Sequence, residues 1–202
     1  MKEVLQSLFQ FFVYAVLAVF AQNAVFTRAL GVSRLTKIVE DGSDSWTLGI
    51  LLCCVQIISA PLGYWANDLI GSFTYRSAVR PLVMVACSGV AFFLVLGAVV
   101  ALRSAVNARA AVAALPMATF NTCVLGTLLV SESQNFNFAQ TMGFALGSGL
   151  GYMLAIQVVA EGRRKLDDER VPIIFRGLPV TLLYIAILAL AIYGFTGHTV
   201  SF

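Results

Sequence analysis

Apolar runs dominate this chain: positions 8–30, 46–65, 81–102, 110–130, 138–160 and 178–194 are each almost free of charge, and short polar segments separate them. About 20 apolar residues span a hydrocarbon core of ~30 Å. Lipid offers no water to pair with a bare backbone, so each run is expected to be a helix. The pattern therefore predicts an all-α integral membrane protein with six transmembrane helices.

Composition narrows the function. The 202 residues are 59% hydrophobic and 11% charged, with a mean hydropathy of +0.88; a soluble domain carries about 25% charged residues. The loops are too short to hold a nucleotide, a flavin-binding fold or a ferredoxin-type cluster by themselves. The net charge of +3 implies no nucleic-acid partner, because the basic residues cluster at helix ends; the surrounding partner is the lipid bilayer. Six crossings put Lys2, Arg76 and Arg80 on one side. They put Arg28, Arg34, Lys37, Arg103, Arg109, Arg163, Arg164, Lys165, Arg170 and Arg176 on the other. Cytoplasmic loops carry the excess of Lys and Arg, so both termini are expected outside the cytoplasm of a bacterial inner membrane, with the 161–176 loop inside. Val19-Phe20-Ala21 has the small-residue pattern of a signal-peptide cleavage site. Apolar character continues past it to Val32, so the first run is expected to be retained.

The chain reads as a single membrane domain that divides near position 106 into two sets of three spans, about 1–105 and 106–202. An odd number of crossings inserts the second set upside down, giving two inverted three-helix repeats. The opening span of each carries a polar pair followed by a Leu-Gly step: Gln22-Asn23 before Leu30-Gly31, and Asn121-Thr122 before Leu125-Gly126. Polar groups at membrane depth usually face the bundle interior and mark a functional locus. Paired loci in inverted halves suggest a shared midplane site, and Gln56, ahead of Pro61, is a further candidate contact. The same residues could instead bond neighbouring helices as glue.

Other features have plainer readings. Gly143, Gly147 and Gly151 recur at four-residue intervals with Gly149 alongside, as helices that pack closely require; the face could receive a helix of this chain or of a second subunit. Pro172, Phe175, Arg176 and Gly177 make the 171–179 segment an interfacial turn rather than helix, and 161–170 reads as a solvated helix end. Cys53, Cys54, Cys87 and Cys123 lie within spans, without zinc spacing or a disulfide framework, and read as packing residues. Asp41, Asp44, Asp68 and Glu132 are expected to be solvated at helix ends, with a cation-entry role conceivable for Asp68 or Glu132. His198 is expected at the surface.

The segment Val171-Pro172-x-x-Phe175-Arg176-Gly177, with a following span that ends Ala191-x-x-Gly194-Phe195-x-Gly197, resembles the last third of the small six-helix membrane subunits of Rnf and Na⁺-translocating NADH:quinone oxidoreductase complexes. Asn23 with Leu30-Gly31, and Asn121 with Gly126, match that family's two half-repeat motifs, and the outside N-terminus is similar to the A/E-type members. The resemblance implies electron transport, a homologous membrane subunit as partner and an iron–sulfur site shared with it, one cysteine coming from each half. The positions it implies for those cysteines are Ser33 and Thr122 here. Clusters are held by thiolates, so no metal ligand is expected from this chain. Cys123, one residue late and rotated by about 100° on a helix, could serve only through a register shift. The expected function is a non-catalytic or electron-conducting subunit that lacks its own iron–sulfur ligands. The competing reading is a transporter or binding component that uses Gln22, Asn23, Gln56, Asn121 and Thr122 as polar contacts for a small solute or ion. In either reading the expected protein partner is a homologous membrane subunit or, as a homodimer, a second copy of this chain.

Overall fold

The computed structural model describes residues 2–41, 45–71, 75–102, 105–166 and 172–196. Arg103, Arg170, Asp44 and His198 lie outside them. The elements are α1 (Lys2–Val19), α2 (Val32–Asp41), α3 (Ser45–Ile70), α4 (Arg76–Leu102), α5 (Ala105–Thr119), α6 (Thr122–Ser133), α7 (Phe138–Leu166) and α8 (Leu178–Thr196), and no strand occurs among the described residues. Among the described residues, five helices are long and apolar enough to cross a membrane, and a sixth crossing comes from α5 and α6 taken as one span bent by 45°. The chain is a multi-pass, all-α membrane protein.

Two of the six apolar runs are not the continuous helices that hydropathy predicts. The first helix stops at Val19 and a run of turns fills 20–31 before α2 begins; the fourth run breaks at Phe120 and Asn121. Asparagine causes part of this, because its side chain competes with helical bonding. Asn23 Oδ1 accepts from the backbone N–H of Val25 at 3.0 Å and of Phe26 at 3.3 Å. Asn121 sits extended (φ −87°, ψ 136°) as the N-cap of α6, its Oδ1 accepting from Cys123 N–H at 3.0 Å. Hydropathy averages over a window and is blind to a cap of this kind.

Helix α7 is the axis of the bundle and packs most heavily on α1 and α3. A Cβ added at Gly143, Gly147 and Gly151 would meet, in turn, Phe11, Ala15 and Ala18–Val19, so α1 runs parallel to the first half of α7. The contact continues past the break: Tyr152 meets Gly31 and Arg163 pairs with Glu40 at 3.7 Å, which lays α2 along the second half of α7. Together α1, the turns and α2 follow α7 as one interrupted crossing. The glycine ladder thus receives a helix of this same chain, and Gly149 lies on another face, against Cys53 and Gln56 of α3. Association of helices in lipid depends on such packing rather than on the hydrophobic effect.

Helix α8 is only 11% buried across its apolar window, as is α1. The large apolar side chains left outside, among them Phe9, Phe12, Val16, Phe93, Leu183 and Ile187, suit a surface facing lipid. The 172–177 segment is a turn: Phe175 N–H bonds Pro172 O at 2.9 Å, and Gly177 adopts φ +84° before α8 starts. Pro172, Phe175 and Arg176 are exposed and Gly177 half-buried.

Candidate functional site

The two breaks touch. Gly31 N–H donates to Thr122 Oγ1 at 2.8 Å, and the Tyr152 hydroxyl donates to Gly31 O at 3.1 Å. Gly31 takes φ +76°, and a Cβ there would sit 2.6 Å from both Asn121 Oδ1 and Tyr152 Cε2. Glycine is needed twice over, for the left-handed backbone and for the approach. Asn23 Nδ2 donates to Gly151 O of α7 at 3.0 Å and to Val19 O at 2.8 Å. Asn23 and Asn121 are both almost fully buried, and they flank the adjacent residues Gly151 and Tyr152.

A second polar group lies beside this junction. Gln56 Nε2 on α3 donates to Thr127 Oγ1 at 3.1 Å, Ser148 Oγ at 3.3 Å and Cys123 Sγ at 3.5 Å. The Thr127 and Ser148 hydroxyls are 2.7 Å apart. All four residues are buried, and the Gln56 carbonyl oxygen has no hydrogen-bond partner among the described residues. Such a network joins α3, α6 and α7 through groups that lipid could not satisfy.

Of the residues singled out by sequence, Asn23, Asn121 and Thr122 join the junction, and Gln56 joins the adjoining network. Gln22 lies in the first break, half-buried. Ser33 is exposed in the first turn of α2, its carbonyl accepting from Thr36 Oγ1 at 3.2 Å. The six do not converge on a single pocket: Asn23 borders a cavity of about 350 Å³ with largely apolar walls from the end of α1 and from α8. Sequence reasoning missed Tyr152, Thr127 and Ser148. The only signal for Thr127 and Ser148 was polarity within an apolar run, and Tyr152 gave none.

The position of Glu132 also differs from expectation. Its carboxylate is not solvated; it pairs with Arg80, and its side chain is 6% exposed. A cavity of about 40 Å³ beside it is bordered by Asn67, Ser131, Asn135 and Thr141. Asp68 is exposed as expected. Arg28, assigned from sequence to the loop side of the first span, lies inside the first break.

These features define the class: a multi-pass helical membrane protein with two interrupted crossings that meet at a buried polar junction. The chain belongs to the family described as Rnf-Nqr subunit, membrane protein, whose model matches residues 11–199. It is similar to the A-type subunit of the Na(+)-translocating ferredoxin:NAD(+) oxidoreductase complex of Acetobacterium woodii, with 27% identity over 187 residues. It is also similar to the E-type subunits of the Na(+)-translocating NADH-quinone reductases of Serratia proteamaculans (29% over 189 residues) and Rhodopirellula baltica (28% over 203 residues). Each alignment covers 89% of this chain and 93% of the relative.

The donor set does not fit the iron–sulfur site that the resemblance implies. Ser33 and Thr122 present hydroxyls at the two ligand positions, and Thr122 Oγ1 is already engaged by Gly31. Cys123 is fully buried while Thr122 is exposed, so the thiol points into the bundle towards Gln56 and away from the Thr122 face. Among the described residues, no three His, Cys, Asp or Glu side chains are grouped to hold a metal ion.

Proposed function

We propose that this chain is a membrane subunit of an Rnf- or Na⁺-NQR-type complex in which hydrogen bonds, rather than a shared iron–sulfur cluster, clasp the two broken crossings. The observation that carries this reading is the bond from Gly31 N–H to Thr122 Oγ1. It makes the residue at a ligand position a structural link between the halves, while the neighbouring thiol of Cys123 is turned inward. The electron carriers then sit on partner chains. The partner in contact with this one is a homologous membrane subunit, seated on the face that exposes Ser33 and Thr122. The plan of the two halves, each an interrupted crossing followed by two long helices, supports an inverted repeat within one domain. The basic cluster Arg163, Arg164 and Lys165 at the end of α7 supports placing that end in the cytoplasm of a bacterial inner membrane, with both termini on the opposite side.

The test is iron analysis and electron paramagnetic resonance on the complex purified through this chain. Wild type should hold no cluster that is lost on replacing Cys123. The double variant Ser33→Cys/Thr122→Cys, co-expressed with its partner, should gain iron. A wild-type cluster abolished by Cys123→Ser would overturn the proposal, and a double variant without iron would remove the alignment of ligand positions beneath it.

The unpartnered Gln56 oxygen favours a second reading, in which the buried network admits a small solute or cation on its way across. Gln56→Leu should then abolish transport in vesicles while the protein still folds. Unchanged transport would reduce Gln56 to helix glue.

A further inference from the structure

Where α1 stops at Val19 the chain turns aside through Phe20 and Ala21, and a cavity of about 350 Å³ lies between this first break, Leu154 of α7 and the last turns of α8. It follows α8 from Leu188 to Thr196, a length of ~12 Å at the helical rise. Small side chains border it on both sides, Ala21 from the break and Ala191 from α8. Two polar side chains line it, Asn23 and Thr196. An amide side chain has two donor hydrogens and an oxygen with two lone pairs. Asn23 spends the hydrogens on Val19 O and Gly151 O and the lone pairs on the N–H groups of Val25 and Phe26. The Thr196 hydroxyl donates to Ile192 O of its own helix at 3.0 Å.

The wall therefore has almost nothing to offer a polar ligand. Buried water needs 2–4 polar partners, and the side chains here leave only the lone pairs of one hydroxyl. The occupant is a hydrocarbon. Helices α1 and α8 are each only 11% buried across their apolar windows, and Phe20 and Phe195 beside the cavity are exposed, so it opens sideways onto the surface that suits lipid. About 350 Å³ over ~12 Å gives a mean cross-section of ~30 Å², whereas a helix ~10 Å across needs ~80 Å². A helix of a partner subunit does not enter such a space, and a single extended chain does. With no polar group to select a headgroup, occupancy follows concentration, and phospholipid is the most abundant source of such chains in a bilayer.

We propose that this cavity binds one acyl chain of a bilayer phospholipid, which packs the first break against α8. The inference is independent of any electron-carrying role, since neither Ser33 nor Thr122 borders the cavity.

The experiment follows thermal unfolding of the full-length chain in detergent micelles doped with phosphatidylcholines that share a headgroup and differ in chain length, with bound lipid counted by native mass spectrometry. Dioleoyl phosphatidylcholine should raise the midpoint of wild type by about 5 °C, since a ligand that binds only the folded state stabilises it. Dihexanoyl phosphatidylcholine, whose chains are too short to fill the cavity, should not. Ala191→Phe and Ala21→Phe fill the space from its two sides. Each should raise the lipid-free midpoint, as cavity filling does, lose more than half of the lipid response and hold less lipid. Ala86→Phe, at an exposed position of α4, should keep the full response. A rise independent of chain length would overturn the proposal in wild type alone, whatever the variants do. So would an undiminished response in both filled variants. A larger rise with an isoprenoid quinone than with dioleoyl phosphatidylcholine at equal concentration would also overturn it, by showing a site for a particular tail. A crosslink from position 191 to a partner subunit in the intact complex, with no lipid held, would mean that protein fills the cavity instead.

Discussion

Gly31 and Thr122 lie 91 positions apart in the chain, and the amide of the first donates to the hydroxyl of the second at 2.8 Å. The bond joins the two interrupted crossings, one from each half. Its acceptor stands at a position where the family resemblance implies a cysteine.

Removing that acceptor should be costly. Thr122→Val leaves the Gly31 N–H without its partner, a loss of about 1–3 kcal/mol for a buried group. Thr122→Ser keeps the hydroxyl and should stay within about 0.5 kcal/mol, the usual range for a mild substitution. Thermal unfolding in detergent ranks the two, and equal midpoints would show that the bond contributes nothing.

Gly31 and Gly177 form a natural comparison. Both have positive φ, +76° and +84°, but a Cβ at Gly31 meets Asn121 and Tyr152 while one at Gly177 meets open space. Gly177→Ala should cost only the left-handed penalty of about 1–2 kcal/mol. Gly31→Ala adds a clash between the halves and should abolish accumulation of folded protein in the membrane. Similar yields for the two variants would deny that the junction is tightly packed.

The glycine ladder tests the docking of α1. A methyl group at Gly143 or Gly147 would land on the backbone carbonyls of Phe11 or Ala15, whereas Gly89 and Gly97 on α4 face open space. Gly143→Ala and Gly147→Ala should free α1 for limited proteolysis. Gly89→Ala and Gly97→Ala should be neutral or gain up to about 1 kcal/mol from helix propensity. Protection of α1 in all four variants would contradict the parallel packing of α1 on α7.

The pair Arg80–Glu132 should respond to single and double substitution in opposite ways. Arg80→Met removes a cation paired with a nearly buried carboxylate and should destabilise by about 2 kcal/mol, less than a fully buried pair because Arg80 is partly exposed. Glu132→Gln added to it should restore much of the loss. Additive losses measured by chemical unfolding would mean that the two residues do not interact.

Periodicity and hydropathy made most of the architecture legible, because a long uncharged run in a membrane can only be a helix. The paired asparagines were legible as polar anomalies, and both prove to be buried, Asn121 as the N-cap of α6 and Asn23 within the turns of the first break. The breaks themselves were not, because a long apolar run looks the same whether it is one helix or two. Glu132 was misread for a related reason: a carboxylate at a helix end looks solvated until the helix carrying Arg80 is packed beside it. Tyr152 gave no warning, being one aromatic among many apolar neighbours.

Residue order alone therefore determined the all-helical membrane class, the six apolar runs, the inward placement of Asn23 and Asn121 and the hydroxyls at the ligand positions, since each follows from the chemistry of a residue and its near neighbours. Only the tertiary structure decided that the glycine ladder receives α1, that Gly31 bonds Thr122, that Cys123 turns towards Gln56 and that Glu132 pairs with Arg80. Those relationships join residues far apart in the chain, and they depend on how helices are set against one another, which no local pattern encodes.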